Sequence, residues 1–190
     1  GNNQFIIGID ANKWICGDSS YNIFDKDGNQ LNGAASGGFE ADADGNLFAS
    51  NTCSGCSLDG SDGCNNVLLG MCAGKAVTAG HHNLILGMCA GRAVTGGDDN
   101  ILMGCNSGRG ITTQCANVMI GMDAGGSGSG DNNVIIGKSA GTNRSGGSDN
   151  VFIGRYAGTN ESGTITGGYN IGIGYNNLGG IGAHENNIAF

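Results

Sequence analysis

The stretch NILMG at 100–104 returns as NVMIG at 117–121, seventeen residues later. Each is an asparagine, three apolar residues and a glycine. Working outward finds NLILG from Asn83 and NVLLG from Asn66 on one side, then NVIIG from Asn133, NVFIG from Asn150 and NIGIG from Asn170 on the other. An eighth copy opens at Asn187 and reaches Phe190. The spacings are 17, 17, 17, 16, 17, 20 and 17 residues, a constancy that marks an internal repeat. Secondary features keep the same phase. Ala-Gly follows the repeat glycine at Ala73, Ala90, Ala124, Ala140 and Ala157, with Ser107 as the one substitute, and a Thr or Ser comes eight residues after that glycine at Thr78, Thr95, Thr112, Ser129, Ser145 and Ser162.

A period near 17 is too short for a helix pair and too long for a hexapeptide β-helix. It suits an all-β stacked-coil β-solenoid or β-roll, each coil holding two short strands and two tight turns. Apolar, largely β-branched residues between Asn and Gly read as a strand. The chain has 40 glycines and no proline in 190 residues, without a Gly-X-Y period, so collagen is excluded and the glycines belong to turns. Coils stacked in register advance about 4.8 Å each, so eight would span roughly 38 Å. Equivalent side chains then form ladders. The structural ladder expected here is Asn66, Asn83, Asn100, Asn117, Asn133, Asn150, Asn170 and Asn187.

Along each strand the first and third residues after Asn share a face, and the middle one points the other way. That middle row is Leu68, Ile85, Leu102, Met119, Ile135 and Phe152 before it shrinks to Gly172 and Ala189. A single thin coil cannot cover both faces of its strand, so one row is expected to form an apolar stripe at an oligomer interface. The middle row is assigned to that interface.

The run of N-[VIL]-x-[IL]-G units with their Ala-Gly and Thr/Ser-Gly turns resembles the repeats of bacteriophage tail fibres, particularly those of aquatic phages. It is similar in logic to the β-roll heads of trimeric autotransporter adhesins, which use a shorter repeat. The resemblance covers about residues 64–190. It implies a parallel homotrimer acting as a fibre shaft or receptor-binding fibre, on a virion or outside the cell. The partners implied are copies of itself, other fibre or virion proteins and a cell-surface glycan. A bacterial adhesin or filament subunit that binds surface glycans is the alternative.

Residues 1–63 lack the beat and read as a β cap or linker leading into the array at 64–190. GNNQFIIG at 1–8 echoes the repeat and could end an earlier array. Two DxDGN segments, at Asp25–Asn29 and Asp42–Asn46, carry the Asp-Gly signature of hairpin turns. Neither has the distant Glu that an EF-hand calcium loop needs. The chain opens on Gly1 with no signal-peptide pattern, which suits processing or a fragment, and NIAF at 187–190 suggests that the array runs on.

Sixteen Asp/Glu against eight Lys/Arg give a net charge of -8, which opposes binding to nucleic acid or an anionic membrane surface. No apolar run has the length of a membrane span. Eight cysteines suit an oxidising exterior. Cys72 and Cys89 share a phase in adjacent coils, so stacking brings their backbones within disulfide reach, and a bridge and two free thiols are both open. CSGC at 53–56, with Cys64 nearby, lacks a fourth ligand at zinc-knuckle spacing. His81 and His82 precede Asn83, with Asp98 and Asp99 one coil on; solvated turn residues are the default there, and no metal or cofactor is expected. Lys75, Arg92 and Arg109 form a cationic row that could meet an acidic sugar. No G-x-S-x-G elbow or paired acid and base is found, so a structural protein is expected rather than an enzyme. Arg155, Tyr156, Glu161 and Tyr169 in the 20-residue repeat are the candidates for gripping a sugar. An ice-binding solenoid ranks below, because only one Ser/Thr per coil holds phase.

Overall fold

The computed structural model describes residues 5–10, 13–17, 23–24, 39–42, 44–49, 53–58, 63–126, 130–142, 147–159, 167–178 and 185–190. It is all-β, with no helix among those residues. Three strands, β1 (Phe5–Asp10), β2 (Lys13–Gly17) and β3 (Ile23–Phe24), make an antiparallel meander. FIIG at 5–8 therefore belongs to a meander and not to an earlier coil. The first DxDGN segment lies outside the described residues.

Ten further strands form one sheet. β4 (Phe39–Ala41) pairs antiparallel with β5 (Leu47–Ala49), and every later pair is parallel. The parallel strands are β6 (Val67–Leu69), β7 (Leu84–Leu86), β8 (Ile101–Met103), β9 (Val118–Ile120), β10 (Val134–Ile136), β11 (Val151–Ile153), β12 (Ile171–Ile173) and β13 (Ile188–Ala189), stacked in sequence order. They are the walls of a β-solenoid of about seven turns. Pairing is in register throughout, Val118 beside Val134 and Ile136 beside Ile153. The expected second strand per coil is not there among the described residues. Turns fill the rest of the coil and still bond along the axis, as in Gly74 N–H to Ala90 O at 3.0 Å and Thr95 N–H to Thr112 O at 2.8 Å.

The second DxDGN segment is the turn of the β4–β5 hairpin, as its Asp-Gly signature predicts. Asp42 Oδ1 accepts the Asp44 and Asn46 backbone N–H groups at 3.1 and 2.8 Å, an Asx turn that holds Gly45 at φ +78°. Asn46 is then the first rung of the asparagine ladder. Its Oδ1 accepts both the N–H and the Nδ2–H of Asn66, at 2.9 and 2.8 Å. The ladder thus starts twenty residues earlier than the pattern from Asn66 shows. Each later asparagine repeats the geometry to Asn187, whose N–H and Nδ2–H reach Asn170 Oδ1 at 3.0 and 2.8 Å. The remaining Nδ2 hydrogen goes to a turn carbonyl, as Asn83 to Gly97 O at 2.7 Å. Every rung from Asn46 to Asn170 is buried, and a buried amide is tolerated because both ends are bonded.

The interior corrects the assignment of faces. Counting each coil from its asparagine, the third place (Leu68, Ile85, Leu102, Met119, Ile135, Phe152) is fully buried inside the single chain. Those six residues are the solenoid's own core, so they are not an oligomer interface. Opposite them lie the alanines of the eighth place, Ala73 to Ala157, and Val77, Val94 and Ile111 of the twelfth. Ser107 replaces one alanine and satisfies its hydroxyl on Met119 O at 2.7 Å.

Two glycine columns set the fit. At the fifth place, Gly104 has φ +126° and a Cβ there would meet the Gly121 carbonyl at 2.7 Å, so any side chain would force the coils apart. At the ninth place the obstacle is the core row itself. A Cβ on Gly108 would meet Leu102 Cδ2 at 2.7 Å, and one on Gly158 the Phe152 ring at 2.5 Å. The seventh coil inverts this exchange. Gly172 takes the third place and Leu178 takes the ninth, where it packs on the core, and a Cβ on Gly172 would meet Leu178 Cδ1 at 2.9 Å.

Two outcomes are expected from denaturant unfolding. Asn117→Leu strips the acceptor from the Asn133 N–H and Nδ2–H groups, which lie 3.0 and 3.1 Å away, and should cost at least about 2 kcal/mol. Leu178→Gly empties part of the core and Gly172→Leu overfills it, each costing roughly 1–3 kcal/mol alone. The double variant rebuilds the arrangement of the other coils and should recover most of the loss. Simple additivity of the two single effects would refute the exchange.

Candidate functional site

The face that the middle row does not occupy is the outer one. Its side chains come from the second and fourth places, pairs such as Val67 and Leu69, Ile101 and Met103, Val134 and Ile136, and Ile171 and Ile173. From β6 to β11 all of them are half-buried, flanking a fully buried neighbour. What covers them is the rung above and below, and their outward surface is open. Met71, Met88 and Met122 continue the apolar surface at the sixth place, at 53%, 47% and 41% exposure. Two apolar ranks and a partial methionine rank thus run along the rod, a contiguous apolar face of the kind that marks interaction surfaces. The row that the sequence pattern assigned to an interface is the buried one, and its neighbours on the strand face outward.

A second column runs along the edge just before the ladder. Backbone N–H groups two residues ahead of the five asparagines from Asn66 to Asn133 donate to the side chain at the same place one coil on. Cys64 N–H reaches His81 Nδ1 at 3.3 Å, His81 N–H reaches Asp98 Oδ1 at 2.8 Å, and Asp98 N–H reaches Cys115 Sγ at 3.3 Å. Cys115 N–H continues to Asp131 Oδ1 at 2.8 Å and Asp131 N–H to Ser148 Oγ at 3.1 Å. Cys, His, Asp, Cys, Asp and Ser look unrelated in the sequence, yet all are short acceptors, which is the signal that was missed. His81 and Asp98 are spent on backbone groups here. His82 Nδ1 stands 3.3 Å from Asp99 Oδ1, an exposed pair worth little in water.

The remaining candidates fall into three groups. Cys72 and Cys89 stand as free thiols on adjacent coils, and Cys53 and Cys56 lie on the coil before them. Lys75, Arg92 and Arg109 are exposed at one corner, Arg109 Nε donating to Gly126 O at 2.9 Å on the next coil. Arg155 lies over the Tyr156 and Tyr175 rings at 4.8 and 5.9 Å, and the two rings meet edge-on at 6.1 Å. The Tyr156 hydroxyl is the main influence holding the Arg155 guanidinium above its usual pKa. Tyr175 adds an aromatic that the sequence reading left out. Tyr169 is exposed, and Glu161 lies outside the described residues.

No family model, curated protein or solved structure matches the chain. Among the described residues, no group of three His, Cys, Asp or Glu is arranged to hold a metal ion, and no helix is long and apolar enough to cross a membrane. Since the turn carboxylates serve as acceptors for backbone N–H groups, chelation should not weaken the fold. The melting temperature should be the same with and without EDTA, and a chelator-induced drop would show that the turns hold a cation.

Proposed function

We propose that the chain is a structural rod segment of a fibre that associates with copies of itself through its outer apolar face. The carrying observation is that face: a parallel sheet with aliphatic side chains on the outside of six consecutive three-residue strands. Parallel sheets are almost always covered on both sides. Here the solenoid interior covers one side, and the other needs a partner with the same rise per coil. A second copy in register supplies it, rung against rung. Closed symmetry about an axis parallel to the rod would let three such faces meet and leave none in water, the parallel homotrimer that the resemblance to tail fibres implies. A stiff rod with an apolar seam serves as a shaft or stalk, on a virion or a cell surface, rather than as an enzyme.

Glycan adhesion is the second reading, favoured by the exposed Tyr175 and half-buried Tyr156 beside Arg155. It offers a smaller surface than the apolar face, and its arginine already lies over both rings.

Two substitutions one residue apart test the rod. Ile136→Asp puts a carboxylate on the outer face and should abolish association with the β circular-dichroism signal retained. Ile135→Asp puts it in the single-chain core and should unfold the chain, while Thr113→Asp on an exposed turn should do neither. Sedimentation reads all three. A natural chain that is monomeric at every concentration, or an Ile136→Asp variant that associates normally, would defeat the reading.

A further inference from the structure

Thiols gather at the corner where the array begins. Cys72 and Cys89 hold the seventh place of adjacent coils, and Cys53, eighth from Asn46, comes into line with them through one extra residue between β5 and the turn. Gly55 N–H bonds to Ala73 O as Gly74 N–H does to Ala90 O, which confirms the alignment through the turn. Backbone demand does not account for cysteine there. The place is left-handed, with φ +54°, +57° and +56°, a conformation that favours Asn, Asp or Gly, and later coils use Asn106 and Asp123. Three residues after Cys53, Cys56 closes the same turn. Both cysteines stand in the turn that Leu58 N–H closes on Gly55 O at 3.0 Å. Cys56 is exposed and Cys53 half-buried, so solutes reach the pair.

We propose that Cys53 and Cys56 form a redox-active dithiol, which closes to a disulfide by exchange with a small-molecule or protein disulfide. The Cys53 thiolate attacks one sulfur of that disulfide, forming a mixed disulfide and expelling one thiolate. Cys56 then loses its proton to solvent and attacks Cys53 Sγ, breaking the mixed bond and expelling the second thiolate. Two protein thiols are oxidised, one external disulfide is reduced to two thiols, and the protons pass to the leaving thiolates. The order of events follows from which thiol ionises less readily. The Cys53 sulfur is the largest cause, with partial burial next, that pushes the Cys56 thiol up to about 11. Once Cys53 is tied up in the mixed disulfide, that hold is released and Cys56 is freed to attack. Cys72 is also raised, by desolvation first and then by Cys53 and Cys89, which leaves it a poorer competitor at the outset.

This inference does not depend on self-association. The test equilibrates the full chain with reduced and oxidised glutathione at rising ratios and maps free thiols by alkylation and mass spectrometry. Cys53 and Cys56 should lose alkylation together, with one intramolecular bond between them, while Cys72 and Cys89 remain alkylated. In the double variant Cys56→Ser with Cys72→Ser, closure is blocked and Cys53 should accumulate as its glutathione adduct. Four thiols that stay free across the series, a bond that maps to Cys72–Cys89 or Cys53–Cys72, or a double variant without the adduct would each overturn the proposal.

Discussion

The amide of one asparagine side chain per coil fixes everything else in this molecule. Its oxygen accepts two hydrogens from the next asparagine, and its nitrogen donates to the previous oxygen and to a turn carbonyl, as in Asn83 with Asn66 and Gly97. A slip of one residue between coils would bury all of these groups without partners, at about 1–3 kcal/mol each. Register is therefore discrete and shared by every coil. Repeats of 16 and 20 residues leave the ladder unaltered, since Asn117 to Asn133 and Asn150 to Asn170 keep the same bonds.

Given that register, the interior becomes a matter of volume. The core is so thin that the third and ninth places of a coil compete for one space. Leu102 faces Gly108, Met119 faces Gly125 and Phe152 faces Gly158, whereas Gly172 faces Leu178. Leu178 accepts a left-handed backbone, φ +56°, at a place that glycine holds elsewhere. Filling the space beside Phe152 outweighs the modest strain of that conformation.

Most of the fold was legible, because a 17-residue beat with a fixed Asn, a fixed Gly and a period-2 strand admits few architectures. The faces were not, since alternation separates two rows without saying which is inside. Gly172 and Leu178 held the missing information: only an interior row needs its loss of volume answered elsewhere in the same coil. Asn46 escaped notice because NLFA at 46–49 lacks the repeat glycine. The second strand per coil was expected from the length of the period, yet left-handed residues such as Cys89 and Asp99 carry axial bonds without strand geometry. At the candidate sites, Cys72 and Cys89 were rightly placed one above the other. The alignment of Cys53 with Cys72 needed the turn itself, and Tyr175 reached Tyr156 only through stacking of the sixth and seventh places.

The outer face follows from the same two constraints. The glycine column at the fifth place lets backbones approach at sheet spacing, since a Cβ on Gly87, Gly104 or Gly121 would collide with the next coil. That close approach keeps the strands beside it parallel and in register, so the aliphatic ranks on either side of the core row stay straight. With the third place turned inward to fill a narrow core, the second and fourth places have no interior left to enter. Polar residues there would have been compatible with every axial hydrogen bond and every core contact. Val, Leu, Ile and Met recur instead on strand after strand, from Val67 to Ile153, and neither the ladder nor the core requires them. The proposed self-association accounts for them, since an apolar face gains by leaving water at about 25 cal/mol for each Å² covered.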